Sequence, residues 1–325
     1  MLRGPIIARK ANFSLTQIEY VLAVQRHGHF GLAAQDCHVT QPTLSMQIHK
    51  LEEELGTVIF DRAKKPILLT ERGARLVSQM RLVLTEARKI DEILLDEPGT
   101  VAHGELTVGI IPTLAPYLLP RLLPVVSKKF PGLELKILEL QTEQILRSLE
   151  DDQIDVGLLA TPLHAPNVHE RTLYLEPFQL LCQKGHRLAK RARVNYAALE
   201  AHDLWLLQEG HCLRHQVLDI CSLKKTKGPP RQFQFESGSL ETLKNLVSAY
   251  GGYTLLPALS TDHLLPNVQL VPFEAPVPAR EIGLVSSRLH HKKALQDALA
   301  ECVLESIPAA IRKLRMKDLE LVPVA

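Results

Sequence analysis

The chain has 325 residues, 46% hydrophobic and 23% charged, with 38 Lys and Arg against 36 Asp and Glu for a formal net charge of +2. That length and apolar content suffice for two or three cored domains, and the near-neutral balance excludes nucleic-acid binding by bulk positive charge, so such contacts must come from local arrangement. No run of about 18 apolar residues is present to span a bilayer, and residues 1–14 offer only Pro5-Ile6-Ile7-Ala8, too short for a signal-peptide core, so a cytoplasmic protein is expected.

Residues 15–28 place Ile18, Val21, Leu22 and Val24 on roughly one helical face, and residues 30–36 form a second short helix that breaks at Cys37-His38-Val39. A third helix then starts with Thr40 as N-cap and Pro42 in the first turn, where its missing N–H costs nothing. Leu44, Ile48, Leu51 and Leu55 follow as one buried stripe, leaving Gln41, Thr43, Ser45, Gln47, His49 and Lys50 outside. Two short helices about a tight turn, the second polar at its exposed N-terminal end, are the sequence form of a helix-turn-helix. Thr40, Gln41, Pro42, Thr43, Ser45 and Gln47 are its candidate DNA-facing residues, since Gln pairs with adenine and Ser or Thr with several base edges. Residues 58–62 and 66–70 read as two short strands around Ala63-Lys64-Lys65, a basic wing whose Arg62, Lys64 and Lys65 are placed to meet phosphates or the minor groove. Residues 1–98 hold 13 Lys and Arg against 12 Asp and Glu, so Glu52-Glu53-Glu54 is expected to point away from DNA.

From Thr70 to about Asp96 a long helix is expected, with Leu76, Met80, Val83, Ala87, Ile90 and Leu94 at alternating spacings of four and three. That repeat predicts a coiled-coil seam between two chains, ended by the hinge Glu97-Pro98-Gly99. Strands and helices then alternate: strands at 106–111, 135–140 and 156–160 around helices at 118–130 and 145–150 predict a largely parallel α/β sheet. A second set follows, with strands at 178–182 and 204–207, a helix from Cys212, Phe233 and Phe235 on a strand, a helix from Ser239 to Ala249 and a strand at 253–256. Strands 268–272 and 282–285 with helix 295–307 are expected to return to the first lobe, giving two lobes joined by crossing strands about a hinged cleft. Pro112-Thr113 and Gln141-Thr142 lie at carboxyl ends of strands, where small ligands settle in such sheets.

Five cysteines, Cys37, Cys182, Cys212, Cys221 and Cys302, are odd in number and scattered, unlike a structural disulfide framework. Cys212 is flanked by His211 and Arg214 behind Glu209-Gly210, whereas Cys221 sits in an apolar stretch. The asymmetry reads as a reactive and a resolving thiol, and equally as two half-buried small hydrophobes. On one helix the pair would lie roughly 13 Å apart, beyond the ~4.4 to 6.8 Å reach of a disulfide, so joining them would require the helix to melt. His290-His291 and the scattered Asp residues have no metal-site spacing, and neither metal nor cofactor is expected.

A helix-turn-helix, a coiled-coil linker and a bilobed α/β domain in this order resemble the LysR-type transcriptional regulators over residues 14–311. Residues 36–45, 109–113 with 116–120, 210–214, 239–243 and 254–259 look closest to the hydrogen-peroxide-sensing members of that family. The resemblance implies an α/β fold with a winged helix-turn-helix at 14–69, a linker helix at 70–96, and a bilobed regulatory domain of the periplasmic-binding-protein kind. Its first subdomain would be 101–175 with 281–311, and its second 176–280. It further implies that Cys212 reacts with peroxide and Cys221 resolves it as a disulfide, with Thr113, Thr142, His211 and Arg214 as the polar shell. Promoter DNA, hydrogen peroxide, RNA polymerase and a homotetramer built as a dimer of dimers are the implied partners. His215 stands where the family usually has an acid, and about a dozen residues precede Ser14. A family member answering to a metabolite in the cleft would share every domain without needing Cys221. A thiol peroxidase would share the cysteine pair but have no use for residues 14–96, so an enzyme is not expected.

Overall fold

The computed structural model describes residues 12–95, 103–200, 203–221, 238–287 and 292–324 and separates into two units, 1–98 and 99–325. In the first unit α1 (Leu15–His27) starts at a capping box: the Ser14 hydroxyl accepts the Gln17 N–H at 3.2 Å and Gln17 Oε1 accepts the Ser14 N–H at 2.9 Å. After α2 (Phe30–Asp36), α3 (Gln41–Leu55) opens under Thr40, whose hydroxyl accepts the Thr43 N–H, and closes at left-handed Gly56. Leu44, Ile48 and Leu51 are fully buried against Ile18, Val21 and Ala33, each worth roughly 2 kcal/mol of burial. The wing is present as β1 (Phe60–Asp61) paired antiparallel with β2 (Leu68–Leu69), with Lys64 and Lys65 exposed at its tip.

The long helix α4 (Glu71–Leu95) crosses the wing closely, since a Cβ on Gly73 would lie 2.1 Å from the Ile59 carbonyl oxygen. Its predicted seam is divided. Met80, with Val77 and Leu84, is buried in the core of its own unit, and Leu76 and Val83 pack at that core's edge, whereas Ile90 is 64% exposed. Spacings of three and four serve an intramolecular face as well as a coiled coil, so the first half of the stripe belongs to the headpiece. The side chain of Leu94, residues 96–99, residues 1–11, Phe233 and Phe235, and His290-His291 lie outside the described residues.

In the second unit β3 (Gly104–Ile110), α5 (Ala115–Lys129), β4 (Leu133–Glu139), α6 (Thr142–Glu150) and β5 (Val156–Thr161) build a first lobe in which β3 pairs parallel with β4 and β5. The 16-residue strand β6 (Val168–Gln183) then leaves it for a second lobe. That lobe holds α7 (Cys212–Ile220), α8 (Leu240–Tyr250), β7 (Tyr253–Pro257) and β8 (Val268–Pro272). β9 (Val277–Ser287) returns to the first lobe, followed by α9 (Lys293–Ser306), α10 (Ala309–Arg312) and β10 (Leu319–Leu321), which pairs parallel with the start of β9. Each lobe has its own apolar core.

Three expectations change. β8 stays in the second lobe, paired with the far half of β6, because residues 178–183 of that strand need a partner on the side away from β7. The sheet is mixed, since β9 meets both β5 and β6 antiparallel. Residues 204–207 form isolated bridges and not a regular strand, with Leu204 pairing parallel to Tyr253. The lobes are also fastened across the cleft: the Tyr117 hydroxyl on α5 donates to Glu241 on α8 at 2.8 Å, and Arg121 pairs with Asp262. Among the described residues no helix is long and apolar enough to cross a membrane, and no cluster of His, Cys, Asp and Glu could hold a metal ion.

Candidate thiol site and nucleic-acid interface

Cys212 is the first residue of α7 and Thr142 the first of α6, so two helix N-termini, one from each lobe, meet at the sulfur. Thr142 Oγ1 lies 2.7 Å from Cys212 Sγ. Both first turns carry the partial positive charge of a helix N-terminus, which suits an anionic sulfur. Gly210 makes the close approach possible: its φ is +90°, and a Cβ there would lie 2.8 Å from Gln141 Oε1.

The rest of the predicted shell is arranged differently. His211 caps α7, is only 5% exposed, and its Nε2 has no hydrogen-bond partner. Burial holds its pKa below the ordinary histidine value, so near pH 7 it stands beside Cys212 as a neutral imidazole. Arg214 donates from Nη1 to the Leu207 carbonyl at 2.7 Å, bracing the turn before α7. Thr113, at the end of β3, accepts from Arg280 Nη1 at 3.0 Å, and its carbonyl accepts from Nη2 at 3.3 Å. Arg280 in turn pairs with Glu176 at 2.8 Å, and Glu176 accepts the Leu259 N–H at 2.8 Å, all fully buried. Arg280 and Glu176 were not among the predicted site residues, although a charge inside each apolar strand was a visible signal.

Cys221 closes the opposite end of α7, 4% exposed in the second-lobe core. Desolvation, the largest cause, pushes its thiol up to about 12 against a partial lowering by Tyr253. The helix keeps Cys221 some 13 Å from Cys212 along its axis. Cys182 and Cys302 are buried too, each raised to about 11 chiefly by desolvation.

In the headpiece Gln41, Pro42 and Thr43 are exposed on α3, and Ser45 is half-buried. Gln47 faces α1 instead, where Gln17 Nε2 donates to its side-chain oxygen at 3.3 Å. Met46, 62% exposed, occupies the outer face and was absent from the sequence candidates. Glu52, at the head of the acidic run, is buried, accepting the Ile59 and Phe60 N–H groups at 2.7 and 3.3 Å and Arg62 Nη2 at 2.9 Å. Arg62 also lies over the Phe30 ring at 5.1 Å, so it anchors the wing as well as presenting charge.

The description "Bacterial regulatory helix-turn-helix protein, lysR family" matches residues 15–74, and "LysR substrate binding domain" matches residues 99–308. The chain is 37% identical to the hydrogen peroxide-inducible genes activator of Dickeya chrysanthemi over 93% of this chain and 98% of that one. It is 38% identical to the DNA-binding transcriptional dual regulator OxyR of Escherichia coli K12, covering 89% and 94%. A full-length OxyR variant from Pseudomonas aeruginosa superposes with a TM-score of 0.78 at 32% identity, covering 94% and 99%. A peroxide-bound OxyR mutant from Corynebacterium glutamicum superposes with a TM-score of 0.60 at 32% identity, covering 91% and 93%.

Proposed function

The chain belongs to the LysR family of bacterial helix-turn-helix regulators, and from that premise we propose that it senses hydrogen peroxide through Cys212 and converts the oxidation into altered promoter binding. One observation carries the reading: a single helix has a half-exposed thiol at its N-terminus, 2.7 Å from the Thr142 hydroxyl, and a buried thiol at its other end. The Cys212 thiolate attacks one peroxide oxygen, the S–O bond forms as O–O breaks, and hydroxide leaves with a proton as water. Thr142 is positioned to orient the peroxide and to donate to the departing oxygen. The resulting sulfenic acid condenses with Cys221: S–S forms, S–O breaks, and a second water leaves.

Cys221 enters that second step only after release from the core. Burial pushes its thiol up to about 12, so it is protonated in the folded helix, and release from the core returns it toward its ordinary value and enlarges the thiolate fraction. Unwinding of α7 thus supplies both reach and nucleophile. The headpiece reads DNA through Gln41, Pro42, Thr43 and Ser45, supported by Thr40 as cap, with Lys64 and the free edge of Arg62 on phosphates and Gln47 as a brace. The protein works in the cytoplasm as a homotetramer, Ile90 and Ala87 contributing to a seam between chains, and activates transcription with RNA polymerase.

Mapping the thiols by mass after stoichiometric peroxide tests the core of this reading. A Cys212–Cys221 disulfide is expected, with Cys221→Ser halting at sulfenic acid and Cys212→Ser inert. A Cys212→Ser protein whose operator footprint still changed with peroxide would overturn it.

A further inference from the structure

The C-terminal residues 319–324 lie against both lobes and against the redox helix. β10 adds to β9 through the pairs Leu319 to Val277, Glu320 to Pro278 and Leu321 to Ala279. Beyond it the Val322 N–H donates to the Ala279 carbonyl at 2.9 Å, and the Val322 side chain is buried in the same second-lobe core as Val217 and Ile220 of α7. Val324 packs against the first-lobe core, and Glu320 accepts from the Tyr196 hydroxyl at 2.7 Å. One side chain joins this segment to the redox helix: Gln216, fully buried and one turn after Cys212, donates from Nε2 to the Val322 carbonyl at 3.0 Å.

That amide has no other described partner, since Gln216 Oε1 is buried without one. A glutamine at that depth carries a desolvation cost that only the bond to Val322 offsets, whereas an apolar residue of its size would fill the space without the cost. The bond requires α7 to be wound, because only the helix holds residue 216 inward on the face of Val217 and Ile220.

We infer that residues 319–324 form a strap that reads the state of α7 through Gln216: tied down while the helix is wound, and released when Cys212 and Cys221 join. The inference rests on the proposed thiol switch. Its energetic consequence is reciprocal: if unwinding frees the strap, the strap disfavours unwinding and raises the resistance of the thiol pair to oxidation. Release would also bare the outer edge of β9 at residues 277–279, which β10 covers in the reduced form.

The test is a cycle between Gln216→Met, which keeps size and helix propensity but removes the donor, and a protein ending at Asp318. Disulfide and dithiol forms are measured by mass in thiol redox buffers, and amide exchange at residues 319–322 is followed in both forms. A net hydrogen bond of about 1 kcal/mol makes the effect of Gln216→Met on the disulfide-to-dithiol ratio about fivefold more oxidising in the full chain than in the shortened chain, which already lacks the tie. The Val322 amide should exchange at least tenfold faster in the disulfide form. An equal effect of Gln216→Met in both chains, or a Val322 amide equally protected after the disulfide has formed, would overturn the strap while leaving the switch intact. Should peroxide give no disulfide, the switch itself fails, and the strap is then judged on the dithiol protein: amides at 319–322 must exchange faster in Gln216→Met than in the parent, and unchanged protection overturns it.

Discussion

If closure of the disulfide waits for α7 to unwind, its rate must follow the intrinsic stability of that helix. His215 offers a clean handle, because it is exposed in the helix interior and no hydrogen bond or ion pair is described for it. His215→Ala and His215→Gly differ by about 1 kcal/mol of helix propensity with little change in packing. With unwinding as a rapid pre-equilibrium before S–S formation, that difference becomes about a fivefold difference in closure rate, Gly faster than Ala. Leu213, Val217 and Ile220 are buried on the same helix, each worth roughly 2 kcal/mol, so the unwound state is rare and closure is the slow step after sulfenic acid forms. Excess peroxide followed by timed thiol trapping and mass analysis separates the decay of sulfenic acid from its formation. The parent should fall between the two variants. Equal closure rates for Ala and Gly at matched sulfenic acid formation would refute the gate and mean that Cys221 reaches Cys212 with the helix intact.

Glu52→Gln should destabilise the headpiece by about 2 to 4 kcal/mol, because the buried carboxylate serves two backbone N–H groups and Arg62, and thermal melting of the isolated transition would show it. Arg62→Ala should therefore lower both melting temperature and DNA affinity, the latter with a salt slope reduced by about one; loss of affinity without loss of stability would contradict the anchor. For Cys221 the folded pKa of about 12 exceeds the ordinary 9.0, so its share of stability is complete below pH 9 and is lost as pH rises toward 12, and disulfide closure should accelerate over the same window unless Cys221 is replaced by Ser. The lowered pKa of His211 acts oppositely, its stability present above the ordinary histidine range and lost on acidification, so His211→Gln should flatten the acid side of the second lobe's unfolding profile. Ile90→Asp should lower the mass seen by light scattering while leaving the headpiece melt unchanged, given the exposure of Ile90; an unchanged mass would remove that residue from the seam.

Local signals were read well where cause and effect lie close in the chain. Thr40, Pro42 and the Leu44-Ile48-Leu51 stripe define α3 within one helix length, and the wing follows from short apolar runs about Ala63-Lys64-Lys65. The α4 stripe was ambiguous because its spacing does not say whose core it fills, and the headpiece takes Met80. β6 was seen only in its second half, since residues 168–176 alternate exposed and buried positions at the first lobe's sheet and carry polar groups there. At the thiol site, nearness in sequence says little: His211 is next to Cys212 yet desolvated and neutral, whereas Thr113 is held by Arg280, which is itself held by Glu176, 104 residues away from it. Gln216 was legible only as a polar residue on an apolar face, and its partner is 106 residues away.

Glu176 and Arg280 face each other in register where β6 and β9 pass between the lobes, and both strands continue unbroken through that point. Prising the lobes apart would leave a carboxylate or a guanidinium stranded away from water, at a cost on the order of 3 to 5 kcal/mol. The pair acts as a fixed fulcrum. A regulator that clamps on a metabolite needs slack at that position, and this frame has little. If α7 changes shape as proposed, a support with no joint at that position would pass the displacement outward through the second lobe and not absorb it between the lobes.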